Sequence, residues 1–463
     1  MSNQDNNTLK VGMVFISMIF FIFGFVTTFI ITLSEPVREA FDLSFTQAAL
    51  VNSAFFLTYA LFSIPSGTVV KRMGYKSSIV IGLIVIAGAS FLFFPAIQIE
   101  SYLLFLGAIF LLAMGVVLLQ TAANPYVTEL GPSETASGRL NLTQSLNSIA
   151  TWLAPLLIVA LIIPVADADI TAVAPSDLTT PFMLIGVVVL VIGIAVKMIK
   201  LPELSQEGLG NFSSTFKYKH MILGAFGIFA YVGAEVGIGT TIASYIVEPG
   251  LGGGISRELA IKFVGLYWAG AMIGRLFGAI SLSDVKDKSK KHLMALGVMI
   301  WAFIVGYVTL DFTLNMALIF LGFAIANYLL MQLGTGKANK VLAIFAFIAA
   351  ALAITSMLSS GRLALWTIVT IGLFNSIMFP NIFTLAVKGL ERSEVGLASG
   401  IINTLVVGGA VIPPIMGAVA DLAGIQYSFI VPVLCYVYII YFALIGSNIK
   451  PTQEQTPTTT SGV

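Results

Sequence analysis

The chain has 463 residues, of which 58% are hydrophobic and only 10% are charged. Because soluble domains carry about 25% charged residues, this composition excludes an ordinary water-soluble globular protein. A net charge of +1 argues against nucleic acid as a partner, and a single cysteine excludes a disulfide framework or a cysteine-based metal site.

Apolar stretches long enough to cross a bilayer, which takes about 20 residues, follow one another almost from end to end. Read as one helix, 292–333 would be about 63 Å long at 1.5 Å per residue, so we predict a hairpin that turns near Asp311. The sequence then predicts fourteen spans, near 11–33, 47–70, 77–97, 101–126, 139–163, 180–199, 219–247, 260–282, 292–310, 313–333, 339–358, 363–387, 396–420 and 427–447.

The basic residues give an independent test of this count, because Lys and Arg collect in cytoplasmic loops. Most of the 23 Lys and Arg fall in the N-terminal segment, the even-numbered loops or the C-terminal tail. We therefore expect a multi-pass protein of the cell inner membrane with cytoplasmic N- and C-termini.

An internal repeat suggests two related halves. Gln120 precedes Pro125 by five residues in the fourth predicted span, as Asn375 precedes Pro380 in the twelfth. Transporters are commonly built from two such halves, although membrane helices also resemble one another by chance. The predicted units are a six-helix half at 1–200, a cytoplasmic linker at 201–218, a second half at 219–450 with a hairpin inserted near 292–333, and a disordered tail at 451–463.

Charged side chains inside a bilayer cost several kcal/mol unless they face protein or water. Glu235 lies near the middle of the seventh span, one turn from Tyr231, and is a candidate sugar-hydroxyl acceptor or proton carrier. A structural hydrogen bond is the alternative. We interpret Arg275 as a side chain that reaches the membrane surface and Glu35 as one solvated at the interface, with a role in the site as the alternative for each.

Amides and hydroxyls form a stripe on the fifth span, where Asn141, Gln144 and Ser148 recur at helical spacing with Asn147 beside them. Such groups suit a neutral polyhydroxylated ligand, because each sugar hydroxyl both donates and accepts. Helix packing is the competing interpretation. Aromatic residues that can pack on a sugar ring are Tyr59, Tyr126, Trp152, Tyr231, Tyr245, Tyr267 and Trp268.

Several motifs together resemble a known family. The loop from Gly67 to Lys76 resembles the signature loop of the major facilitator superfamily, with Lys71 where that signature usually has Asp. More specific motifs are Gln120-Thr-Ala-Ala-Asn124-Pro125-Tyr126, the run from Arg139 to Ser148, Tyr231-Val-Gly-Ala-Glu235, and Phe374-Asn375 with Pro380-Asn381. These resemble the fucose:proton symporter family, especially its glucose/galactose branch.

The resemblance implies a two-half bundle with a twelve-helix core plus the hairpin, and proton-driven hexose uptake by alternating access. It implies these sugar-cavity residues: Gln120, Asn124, Asn141, Gln144, Asn147, Tyr231, Glu235, Asn375 and Asn381. The fucose symporter has carboxylates where this chain has Ile31 and Gln120, neither of which can titrate. Glu235 is then the candidate proton carrier.

We therefore expect an importer of a neutral monosaccharide such as glucose, galactose or fucose, working as a monomer without cofactor or metal, with a proton or alternatively sodium as the coupling ion. A drug or metabolite exporter of the same fold is the second hypothesis. An enzyme is not expected, because the only two histidines, His220 and His292, lie at predicted cytoplasmic helix ends.

Overall fold

The computed structural model describes residues 3–129, 136–162, 173–199, 216–281, 287–334, 337–390, 398 and 400–448. These residues are almost entirely helical. The helices are α1 (Asn3–Thr32), α2 (Ser34–Ala40), α3 (Phe45–Gln98), α4 (Tyr102–Glu129), α5 (Ala136–Leu161), α6 (Thr179–Met198), α7 (Lys219–Val247), α8 (Arg257–Ser281), α9 (Lys288–Thr309), α10 (Leu314–Leu333), α11 (Ala338–Leu358), α12 (Gly361–Asn375), α13 (Met378–Val387), α14 (Gly408–Ala423) and α15 (Ile430–Tyr441).

Thirteen stretches of the described residues are long and apolar enough to span a membrane. Helix α3 contains two of them, Phe45–Val70 and Arg72–Gln98, and α12 and α13 together form one, Gly361–Val387. Helix α5 corresponds to the remaining predicted span, and its apolar part, Leu146–Leu161, is shorter. The predicted fold class, an all-α polytopic bundle of about 14 helices, is confirmed.

Local sequence signals set the helix ends and breaks. Ser44 begins α3 with a capping box, in which its side chain accepts from the Gln47 N–H and the Gln47 side chain accepts from the Ser44 N–H. Gly74 has a φ of 78°, a value that glycine adopts without strain, and it kinks α3 close to the junction of its two spans. Asp311 and Phe312 have φ values of 51° and 60°, so α9 and α10 form a hairpin that turns where the sequence predicts.

The helices pack as two groups. In the first, α1 packs on α5, and α3 packs on α4 and α6. In the second, α7 packs on α14, α11 on α15, and α12 on α8 and α11. The two groups meet where α3 contacts α14 and where α5 contacts α8. Helix α8 thus packs on α7 in its own group and on α5 in the other group.

The α9–α10 hairpin lies at the edge of this bundle. In the most apolar stretch of each span, 28% of the residues are buried in α9 and 33% in α10, against 78% in α7 and 83% in α8. Lys262 of α8 donates to Asp311 at the hairpin turn at 2.6 Å, and Trp152 of α5 donates to Thr309 at 2.9 Å. The hairpin is thus attached to both halves without entering the centre.

Candidate functional site

A buried carboxylate and phenol lie together on α7. The Tyr231 hydroxyl donates to Glu235 Oε1 at 2.6 Å, as expected for residues one helical turn apart. Tyr231 is 1% exposed and Glu235 is 8% exposed. A carboxylate this far from water requires a partner in either protonation state, and Tyr231 provides one.

Arg275 on α8 completes a charged group with this pair. Its Nη1 donates to Ser148 Oγ of α5 at 3.2 Å, and its Nε donates to the Ser376 carbonyl at 3.3 Å. The guanidinium also interacts electrostatically with Glu235 and Tyr231. Our interpretation that Arg275 reaches the membrane surface was therefore wrong, because its partners lie inside the bundle.

The break between α12 and α13 helps to orient Arg275. Ser376 and Ile377 interrupt the helix, and Gly274 lets α8 approach this break closely, since a Cβ at Gly274 would collide with Ser376. The Ser376 carbonyl is consequently available to the guanidinium. Because Ser148 belongs to the first half of the chain, Arg275 connects the two halves beside Glu235.

Next to this charged group, a chain of buried hydrogen bonds joins four helices. Tyr436 of α15 donates to Asn375 Oδ1 at 2.8 Å, Asn375 Nδ2 donates to the Tyr267 hydroxyl at 2.9 Å, and Tyr267 donates to the Glu235 carbonyl at 3.0 Å. All three of these side chains are fully buried. They fix the position of Glu235, and Asn375 in this conformation is enclosed by protein.

Tyr436 was not predicted from the sequence, and Tyr267 was predicted only as an aromatic residue that can pack on a sugar ring. A tyrosine in an apolar span gives one usable signal, because its buried hydroxyl needs a partner. That signal does not identify the partner, which for Tyr436 is Asn375, 61 residues away. The sequence therefore indicates that such a bond exists without saying where.

The predicted amide stripe on α5 divides into two parts. Asn147 Nδ2 donates to the Phe20 carbonyl of α1 at 3.1 Å, and Asn147 occupies the space that a side chain at Gly24 would need. This is the helix-packing role that we considered as the alternative. The stripe's other amides, and one of α4, have side chains outside the described part of the structure: Asn124, Asn141 and Gln144.

Two further predicted residues bond to partners other than Glu235. Gln120 of α4 is half-buried and interacts with the buried Tyr59 hydroxyl. Asn381 of α13 is 3% exposed, and its Nδ2 donates to the Ala338 carbonyl at the start of α11 at 3.4 Å. Among the predicted residues whose side chains are described, the structure therefore brings together Tyr231, Glu235 and Asn375.

One end of the bundle, here named the Glu35 end, is closed by contacts between the halves. Glu35 is 2% exposed, accepts two hydrogen bonds of 2.9 Å from Arg38, and accepts another from Ser244 of α7. The hydrogen bond with Glu35 raises the pKa of Arg38 above its ordinary value. The expectation that Glu35 is solvated at the interface was wrong, because packing of α7 against α2 encloses it.

A second contact at the Glu35 end uses a helix N-terminus. Asp421 of α14 accepts the N–H groups of Phe45 and Thr46, each at 3.0 Å, and the Thr46 hydroxyl at 2.5 Å. These are first-turn donors of α3 that have no partner within their own helix. Asp421 therefore caps a helix of the other half, where the helix dipole also favours a negative charge.

Comparisons with known proteins agree over most of the chain. The family model of the Major Facilitator Superfamily matches residues 14–341. A glucose/galactose transporter of Brucella abortus biovar 1 (strain 9-941) is 37% identical over 438 residues, covering 94% of this chain and 93% of that protein. The L-fucose-proton symporter of Escherichia coli (strain K12) is 29% identical over 438 residues, covering 89% and 87%. Among solved structures, the transporter FucP in the outward conformation has a TM-score of 0.62 at 26% identity, covering 96% of this chain and 100% of that one.

Proposed function

We propose that this chain, which belongs to the Major Facilitator Superfamily, is a proton-coupled symporter that imports a neutral hexose by alternating access. The observation that carries the proposal is the buried Glu235 carboxylate, which is hydrogen-bonded to Tyr231 and interacts electrostatically with Arg275, the residue that joins α8 to α5 through Ser148. The family resemblance inferred from the motifs is confirmed by the family match and by the curated relatives. The names of those relatives support glucose and galactose first, and fucose next.

Proton coupling follows from the chemistry of the Glu235 group. An ionised Glu235 is stabilised by the Arg275 guanidinium and by the Tyr231 hydroxyl. When a proton binds to Glu235, Arg275 loses its counter-ion and depends on Ser148 and on the Ser376 carbonyl. Because an uncompensated buried charge is costly, protonation changes how strongly α8 is held to α5. This gives the proton a means to bias the contact between the halves.

The positions that hold acids in the fucose symporter cannot serve here. Ile31 has no ionisable group, and Gln120 cannot titrate. Glu35 is buried at the Glu35 end, where its bonds to Arg38 and Ser244 take part in closing that end. These facts leave Glu235 as our candidate for the coupling proton, with sodium coupling as the alternative that an ion-gradient experiment separates.

The distribution of Lys and Arg along the sequence supports an orientation for the closed Glu35 end. We place the Glu35 end at the periplasmic face of the inner membrane, with both termini in the cytoplasm, so the described conformation is closed to the outside. Opening this end requires the bonds made by Glu35, Asn52 and Asp421 across the halves to break. Alternating access then consists of exchanging these contacts for others at the opposite end. We propose that a single chain does this.

The test is uptake by the purified protein in proteoliposomes, with a panel of labelled hexoses and an imposed gradient of either pH or sodium. We expect accumulation of glucose, galactose or fucose that depends on the pH gradient and is abolished by a protonophore. Competition by unlabelled sugars distinguishes this function from that of a drug or metabolite exporter. Accumulation driven only by sodium would refute proton coupling, and absence of sugar uptake or competition would refute the whole proposal.

A further inference from the structure

Trp268 on α8 carries a buried hydrogen-bond donor without a partner. The side chain is 5% exposed, and its Nε1 has no acceptor among the described residues. The ring of the neighbouring Tyr267 packs edge-on against the indole, with 5.2 Å between centroids, and its hydroxyl is bonded to the Glu235 carbonyl and to Asn375. Because buried polar groups are nearly always paired, an unpaired indole N–H indicates that its partner comes from outside the protein.

The indole edge lies where α7 and α8 meet α1. A Cβ at Gly239 would be 3.0 Å from Trp268 Cζ2, 3.6 Å from its Cε2 and 3.4 Å from Ile31 Cγ2. Cε2 is bonded directly to Nε1, so the donor sits beside Gly239 and close to the first half of the chain. Glu235 precedes Gly239 by one turn and therefore lies along the same face of α7.

Thr27 of α1 contributes a second unpaired group to this space. It precedes Ile31 by one turn, and its Oγ1 is enclosed without a partner among the described residues. The second half thus contributes an unpaired group beside Gly239, one turn from Glu235, and the first half contributes one a single turn from Ile31, which itself faces Gly239. An indole N–H donates, a threonine hydroxyl donates or accepts, and a carboxylate accepts, which is the set that adjacent sugar hydroxyls require.

We infer that Trp268 and Thr27 bind the transported sugar directly and determine which hexose is accepted. This inference rests on the proposed function. The Trp268 N–H donates to one sugar hydroxyl in the plane of the indole ring, and the Thr27 hydroxyl bonds to another. A sugar that lacks this hydroxyl leaves the buried N–H unpaired, so the site discriminates against it. Gly239 is required because a side chain there would displace the indole.

The experiment measures competition of labelled hexose uptake in proteoliposomes by a series of monodeoxy analogues of the best substrate. For the unmodified protein, one analogue is expected to bind about tenfold to a hundredfold more weakly than the parent sugar. Trp268→Phe keeps an aromatic ring and removes the N–H. It should raise KM for the parent sugar about tenfold. The affinity penalty for that one analogue, meaning its weaker binding relative to the parent sugar, should disappear.

Thr27→Val provides a second variant, of nearly unchanged shape, and should remove the penalty for a different analogue. The matched control is Trp152→Phe, since the Trp152 N–H already has Thr309 as its partner; this variant should keep every penalty. If the unmodified protein takes up no hexose, the proposed function and this inference both fail. If it takes up hexose and the Trp268 and Thr27 variants keep all penalties, or lower kcat alone, this inference fails while the proposed function stands.

Discussion

Removing the Asp421 carboxylate should open the Glu35 end. The Asp421→Ala variant loses three hydrogen bonds to the first turn of α3, two from N–H groups and one from the Thr46 hydroxyl. Hydrogen bonds to charged groups contribute about 1.5–3 kcal/mol each, and exposure to water reduces this, so we take about 2 kcal/mol for the three together. Because about 1.4 kcal/mol corresponds to a tenfold change in an equilibrium constant, the population with this end open should rise about thirtyfold.

Cysteine labelling can measure this opening. Ala49 is 3% exposed and lines the narrow pocket between the halves at the Glu35 end, so Ala49→Cys reports on its opening. The native Cys435 is first replaced by alanine. Asp421→Ala should then raise the rate of labelling by a membrane-impermeant maleimide added outside the cells by about thirtyfold.

The matched control for this prediction is Asp177→Ala. The Asp177 carboxylate also accepts a backbone N–H, that of Ala174 at 2.9 Å, but both residues lie in the same half. This variant should leave the labelling of Ala49→Cys unchanged. An equal effect of the two substitutions, or no effect of Asp421→Ala, would refute the conclusion that Asp421 holds the halves together.

Three further predictions concern the site and the hairpin. Arg275→Gln removes the positive charge that stabilises an ionised Glu235, so sugar accumulation driven by a pH gradient should fall at least about tenfold. Arg275→Lys keeps the charge and should recover part of that accumulation. Equal uptake by both variants would contradict this prediction. Asn375→Ala leaves two buried tyrosine hydroxyls without their partner and should lower the free energy of unfolding by about 3 kcal/mol in denaturant titrations, and a loss below about 0.5 kcal/mol would refute this role. Thr309→Val leaves the Trp152 N–H unpaired and should lower the free energy of unfolding by about 1–2 kcal/mol. The control is Thr355→Val, whose hydroxyl is exposed and which should lower it by less than about 0.5 kcal/mol. Equal losses would contradict the attachment of the hairpin to α5.

Much of the fold follows from the sequence because the bilayer imposes a simple length rule. Every predicted span overlaps described helical residues, although two spans share α3 and one is divided between α12 and α13, and the hairpin turns at Asp311 as the length argument requires. The contact between Tyr231 and Glu235 was also predictable, since helical periodicity alone brings residues four apart together. These predictions depend on local spacing and on the thickness of the membrane.

The directions of long side chains were not predictable in the same way. Arg275 lies near the end of its helix, where reaching the membrane surface and turning inward are both sterically open. The choice is made by Ser148 and by the Ser376 carbonyl, which are distant in sequence. Glu35 was misjudged for the same reason, because the residue that encloses it, Ser244, belongs to the other half.

The measurement that tests the central claim most directly is pH-gradient-driven hexose accumulation by Glu235→Gln in proteoliposomes, compared with sugar exchange in the absence of a gradient. Glutamine keeps the shape and can still accept a hydrogen bond from Tyr231, but it cannot take up a proton. We predict that accumulation is lost while exchange persists. Accumulation equal to that of the unmodified protein would contradict the assignment of Glu235 as the proton carrier.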